Sequence, residues 1–181
     1  ICVALASTQS IAMLLGDGKG RFVVGPPSTF WSEPGSSLAA GDWNSDGRLD
    51  LAVGHKLFTT PATAASVALG KGMGGLTLPV NVGTLMGGRQ LATGDFNSDG
   101  KLDIVAGGLL ATTAGLWVVH ALLGDGMGYF TNGRIATITV ASGFMPPVAI
   151  AAADFDGDRK LDVAMVSTTL TVTARPTASV Q

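Results

Sequence analysis

The chain of 181 residues has one cysteine, Cys2, so no intrachain disulfide can stiffen it and a disulfide scaffold is excluded. Glutamate is nearly absent, occurring only at Glu33, and lysine and arginine together number 11. The residues that usually cover exposed helix faces are therefore scarce, whereas Val, Ile, Thr and 26 glycines suit many short strands joined by turns. The expected fold class is all-β. No Lys/Arg cluster is available to track a phosphate backbone, which argues against nucleic acid as a partner. No apolar run approaches the roughly 20 residues that cross a bilayer, and no basic segment precedes the apolar N-terminus. Neither a membrane span nor a signal peptide is recognisable. Mean hydropathy is nevertheless high, at +0.41, so some apolar surface is expected to be covered by another chain or by further sequence.

What the chain does contain is aspartate in a fixed pattern. Of 13 carboxylates, all but Asp17, Asp125 and Glu33 fall in three segments: "GDWNSDGRLD" (41–50), "GDFNSDGKLD" (94–103) and "ADFDGDRKLD" (153–162). Aligned on the residue after the last aspartate, namely Leu51, Ile104 and Val163, the segments recur at intervals of 53 and 59 residues. A second signature alternates with them: "MLLGDGKGRF" (13–22), "VALGKGMGGL" (67–76) and "ALLGDGMGYF" (121–130). Glycine at alternate positions between two apolar runs suits a tight hairpin with positive φ. A phosphate-cradling loop is disfavoured, because there is no Gly-Lys-Ser/Thr ending and no helix pattern follows.

One unit read through gives four strands: "SLAAGD", "LDLAVGH", "ASVALG" and "LTLPVNV". Four antiparallel strands in roughly 50 residues is the size of a β-propeller blade. The small, apolar first strand (Leu38 to Ala40, Leu91 to Thr93, Val148 to Ala153) fits the innermost position. One blade cannot bury both its faces, so blades must stack. The whole chain reads as one partial propeller domain, 1–181, with repeat boundaries near 34–50, 87–103 and 146–162.

With both motifs present three times in fixed order, the sequence resembles the FG-GAP/VCBS repeats, which build integrin-α-like propellers. The resemblance implies a propeller of typically seven blades, calcium in the blade hairpins and an extracellular or cell-surface setting. It leads us to expect a non-enzymatic module for binding, adhesion or assembly, with an unidentified protein or glycan ligand. The alternative is a lectin or polysaccharide-active enzyme built on the same propeller.

The loop chemistry supports calcium independently. Alternating Asp/Asn at positions 1, 3 and 5 offers oxygen donors, glycine at 6 permits a sharp reversal, and a carbonyl at 7 and a carboxylate at 9 complete the shell. Hard donors without His or Cys suit Ca²⁺ better than softer metals, and flexible carboxylates favour it over Mg²⁺. The candidate ligands are Asp42, Asn44, Asp46, the Arg48 carbonyl and Asp50; Asp95, Asn97, Asp99, the Lys101 carbonyl and Asp103; and Asp154, Asp156, Asp158, the Lys160 carbonyl and Asp162. Up to three structural ions are expected. In the third loop Arg159 replaces the glycine at position 6, which implies strain, while the earlier Gly157 eases the backbone and a fourth carboxylate strengthens attraction for a cation. The net sign is open. EF-hand loops begin similarly but close with Glu at position 12 between helices, unlike these strands. Solvated Asx turns would need no cation, but three or four carboxylates crowded together repel unless neutralised.

A catalytic metal would need an acid or base nearby, and the loops supply none. His55 and His120 fall on different repeats and read as structural histidines, outside any triad. Trp43, Phe96 and Phe155, all at loop position 2, are expected to pack into the blades. Trp31, beside Phe30 and Glu33, is the first candidate for a sugar-stacking platform, although packing between blades is favoured; Trp117 is less constrained.

"ICVALAST" aligns with the strands that leave the aspartate loops, and no glycine turn follows "LDVAMVSTTL". About three and a half blades are therefore expected, as part of a longer propeller or of a homo-oligomer that completes one.

Overall fold

A computed structural model describes residues 2–5, 10–26, 35–55, 63–83, 88–109, 116–139 and 148–166. Every regular element among them is a strand, and no helix there is long and apolar enough to cross a membrane. The first sheet holds β1 (Cys2–Leu5), β2 (Ser10–Gly16) and β3 (Phe22–Val24) in that order. The second has β4 (Gly35–Gly41), β5 (Asp50–His55), β6 (Ala65–Ala68) and, after a two-stranded ribbon of β7 (Gly70–Gly72) and β8 (Gly75–Leu76), β9 (Val80–Val82). The third runs β10 (Gly88–Gly94), β11 (Asp103–Leu109), β12 (Leu116–Gly124) and β13 (Phe130–Thr139); β14 (Ala149–Ala153) and β15 (Asp162–Val166) pair in the fourth. All pairings are antiparallel between sequence neighbours, the up-and-down meander of a blade.

The sheets stack face to face. Strand β5 is buried along its whole length because alternate residues point to opposite faces: Leu51 and Val53 pack with Ile11 of the first sheet, while Ala52 joins Ile104 and Leu122 of the third. The first strands β4, β10 and β14 lie against one another in succession, and the last strands face outward, β3 being exposed throughout. The small residues Ala39, Ala40, Ala92 and Ala151 in those first strands allow this close approach. The molecule is thus a segment of a β-propeller, and no ring closes among the described residues.

One strand differs from its sequence pattern. The fourth strand of the second sheet, expected from Leu76, pairs with β6 only over Val80–Val82. Pro79 has no N–H to give to a ladder, and the turn before it closes on itself: Thr77 Oγ1 accepts the Leu69 N–H at 2.8 Å, and the Thr77 N–H donates to the Leu69 carbonyl at 2.8 Å.

Candidate metal centre

Each aspartate loop joins the first and second strands of a sheet and is closed by the same register pair: Gly41 with Asp50, Gly94 with Asp103 and Ala153 with Asp162. Within it the backbone visits the left-handed region at positions 4 and 6. These are Ser45 (φ 58°) and Gly47 (79°), Ser98 (59°) and Gly100 (83°), and Gly157 (83°) and Arg159 (70°). A side chain there crowds the following carbonyl at a cost of about 1 kcal/mol, which glycine avoids. The strain foreseen at Arg159 is present, but every loop carries one such residue and one glycine. The third loop is therefore not handicapped relative to the others. Arg159→Gly is expected to stabilise the protein by about 1 kcal/mol, seen as a higher urea midpoint with an unchanged slope; an unmoved midpoint would show that this φ costs nothing.

The carboxylate at position 1 organises the loop. Asp42 accepts the N–H groups of Asp46 (3.1 Å) and Gly47 (2.8 Å), and Asp95 those of Asp99 (3.0 Å) and Gly100 (2.8 Å). In the third loop Asp154 accepts from Gly157 (2.7 Å) and Arg159 (2.8 Å). At position 3, the side-chain oxygens of Asn44, Asn97 and Asp156 accept the position-5 N–H at 3.2, 3.1 and 3.0 Å. An sp² oxygen with one lone pair so engaged still has another for a cation.

Position 5 is drawn along the chain. Asp46, Asp99 and Asp158 accept the N–H groups of Arg48, Lys101 and Lys160 at 2.8, 2.9 and 2.8 Å, and this bond is the first cause holding all three carboxyls below the ordinary aspartate value. Asp46 and Asp158 also pair with the side chains of Arg48 (3.3 Å) and Lys160 (3.1 Å). The carboxylates that converge are those of Asp154, Asp156 and Asp162, with oxygens within 4.8 Å of one another. The first two loops carry amides, Asn44 and Asn97, where the third has Asp156. Among the described residues this is the one cluster of three such groups.

Position 9 does something that spacing did not reveal. Asp50 and Asp103 are buried, and each ties its loop to the glycine turn of the same sheet. Asp50 accepts the Trp43 N–H (2.9 Å) and the Gly70 N–H (2.8 Å); Asp103 accepts those of Phe96 (2.9 Å) and Gly124 (2.9 Å). Asp162 repeats the first of these bonds, to Phe155 at 3.0 Å. Burial pushes the Asp103 carboxyl above its ordinary value, with the nearby Asp99 and Asp95 charges adding to the shift. Gly124 is a glycine because a Cβ would overlap the Leu102 carbonyl oxygen.

The aspartates of the glycine turns also have a role absent from the sequence reading. Asp17 accepts the N–H groups of Lys19 (2.7 Å) and Arg21 (3.1 Å), and Asp125 those of Met127 (2.7 Å) and Tyr129 (3.1 Å). The second copy has Lys71 here, cannot accept, and instead forms the β7–β8 ribbon with Met73 at φ 53°. The cue was available: "GDG" twice and "GKG" once.

Both histidines are structural. His55 is buried with Nε2 2.7 Å from Ser66 Oγ, which in turn donates to Asn81 Oδ1 at 2.6 Å. His120 is also buried, and desolvation lowers its pKa. Trp117 is buried too, leaving no open indole face for a sugar. Trp31, Phe30 and Glu33 lie outside the described residues. Of the position-2 aromatics, Trp43 is buried with its ring edge-on to Phe130 at 6.1 Å, and Phe96 is half-buried. Phe155 corrects the sequence expectation: its side chain is 60% exposed, because these rings pack on the sheet that follows, and β15 is the last described strand.

No curated protein matches the chain. A family model does, over one of the three copies: the stretch holding β10, the second aspartate loop and β11 is, at residues 87–115, an FG-GAP repeat.

Proposed function

We propose that this chain is a non-enzymatic, calcium-stabilised propeller module that binds or assembles with partners outside the cell. The observation that carries the calcium reading is the third loop, where Asp154, Asp156 and Asp162 bring three carboxylates together. Such proximity among unneutralised acids is unfavourable, and hard anionic oxygens at this spacing suit a divalent cation. The residues present fit that ion. Asp154, Asp156 and Asp162 would hold it in the third loop, joined by Asp158 if that side chain turns from Lys160. In the first two loops Asp42, Asn44, Asp46 and Asp50, and Asp95, Asn97, Asp99 and Asp103, would do the same. Bound calcium would supply charge neutralisation and a rigid link between adjacent strands. The FG-GAP repeat supports the adhesion and extracellular parts of the reading, as does the absence of any acid or base beside the loops among the described residues.

Calorimetric titration with Ca²⁺ is the test. We expect up to three sites, weaker heats with Mg²⁺, and one site fewer in Asp99→Ala. Absence of binding at millimolar calcium would reject the proposal.

A further inference from the structure

The junction between the second and third sheets is built from a fixed set of parts. Trp43, at loop position 2 of one sheet, packs its ring on Phe130 of the next, beside Leu102 at position 8 of the next loop. Gly128 of the following glycine turn rests on Leu69, and its N–H donates to the Trp43 carbonyl at 2.9 Å. The junction between third and fourth sheets repeats the pairing of aromatic with leucine, with Phe96 and Leu161 both against Gly94.

The junction between the first and second sheets has the receiving half of this set. Leu76 stands for Phe130, Leu49 for Leu102, Leu15 for Leu69, and Gly74 rests on Leu15 as Gly128 rests on Leu69. Among the described residues no aromatic ring comes between them. In its place is an apolar cavity of about 390 Å³ lined by Met13, Leu15, Leu49 and Leu76, and Leu49 is 72% exposed where Leu102 is half-buried. The opposite end of the stack has the inserting half and nothing to receive it: the third loop offers Phe155, 60% exposed, with Val148 and Val166 also exposed nearby in β14 and β15 pairing.

We propose that these two surfaces dock, so that Phe155 of one copy of the chain enters the Met13/Leu15/Leu49/Leu76 cavity of a second copy. The contact reproduces between molecules the junction that Trp43 and Phe96 make within one. Being head-to-tail, it can close into a ring or extend, and either way each molecule uses both ends. It stands apart from the calcium reading, since none of the four cavity residues is a candidate ligand.

Sedimentation equilibrium in calcium-containing buffer tests this with the whole chain. The wild type is expected to reach a weight-average mass at least twice that of the 18.2 kDa chain. Phe155→Ala and Leu49→Lys are each expected to weaken self-association about tenfold or more. Both sites are exposed, so folding is retained, and a circular dichroism spectrum matching wild type documents it. An equimolar mixture of the two variants keeps one intact tail and one intact head, and forms a 1:1 dimer that grows no further. A monomeric wild type, variants that associate like wild type, or a mixture that stays monomeric would each overturn the proposal. Calcium titration of Phe155→Ala, expected to match wild type, shows that lost association is not lost metal.

Discussion

Asp103→Ala lowers the melting temperature by roughly 5–10 °C, measured in excess chelator so that no cation contributes. The side chain is fully buried, and its two oxygens accept the N–H groups of Phe96 and Gly124, both at 2.9 Å. Alanine orphans two backbone donors, at about 1–3 kcal/mol each. Part of that loss is returned, because burial makes the Asp103 charge costly in the folded state, as its raised pKa records. A net cost of about 2–4 kcal/mol follows, and for a chain of this length each kcal/mol moves the melting temperature by about 2–4 °C. Asp103→Asn retains one acceptor but aims an amide donor at one of the two N–H groups, so it falls between alanine and wild type. A melting temperature within about 2 °C of wild type for the alanine variant would mean that the bonds between loop and turn are not what holds the sheet's end together.

Withdrawing calcium has a larger expected effect. An ion present at about 100 times its dissociation constant stabilises the folded state by about 2.7 kcal/mol per site, and three independent sites sum to roughly 8 kcal/mol. Excess chelator is therefore expected to lower the melting temperature by roughly 15–30 °C. In Asp99→Ala the drop shrinks by about a third, since the two other loops are untouched and additivity holds for distant sites. Identical melting curves with calcium and with chelator would reject the calcium proposal outright.

Strand order, the position of every aspartate loop and the stacking of small first strands were legible from the sequence because they follow from alternation and repeated turns. The candidate site was legible as a set of residue types but not as a set of roles. Asp50 and Asp103 were grouped with the other loop oxygens by spacing alone. Their bonds to Gly70 and Gly124 cross 20 and 21 residues, and local pattern carries no sign of so distant a partner. Asp46 and Asp158 turn toward Arg48 and Lys160 because a charged neighbour two residues on competes for them. The exposure of Phe155 was hidden for a different reason: its ring belongs to a contact with the next sheet, so its own repeat cannot predict its burial.

The two left-handed positions of each loop also constrain how the copies can have diverged. With one glycine shared between positions 4 and 6, "NSDG" and "DGDR" differ by moving that glycine two places. Moving it through a loop with no glycine passes a form about 1 kcal/mol less stable, whereas a loop with glycine at both positions relieves strain before the second change restores it. Single substitutions can therefore cross between the two loop types only comfortably in one order, first gaining a glycine and then losing the other.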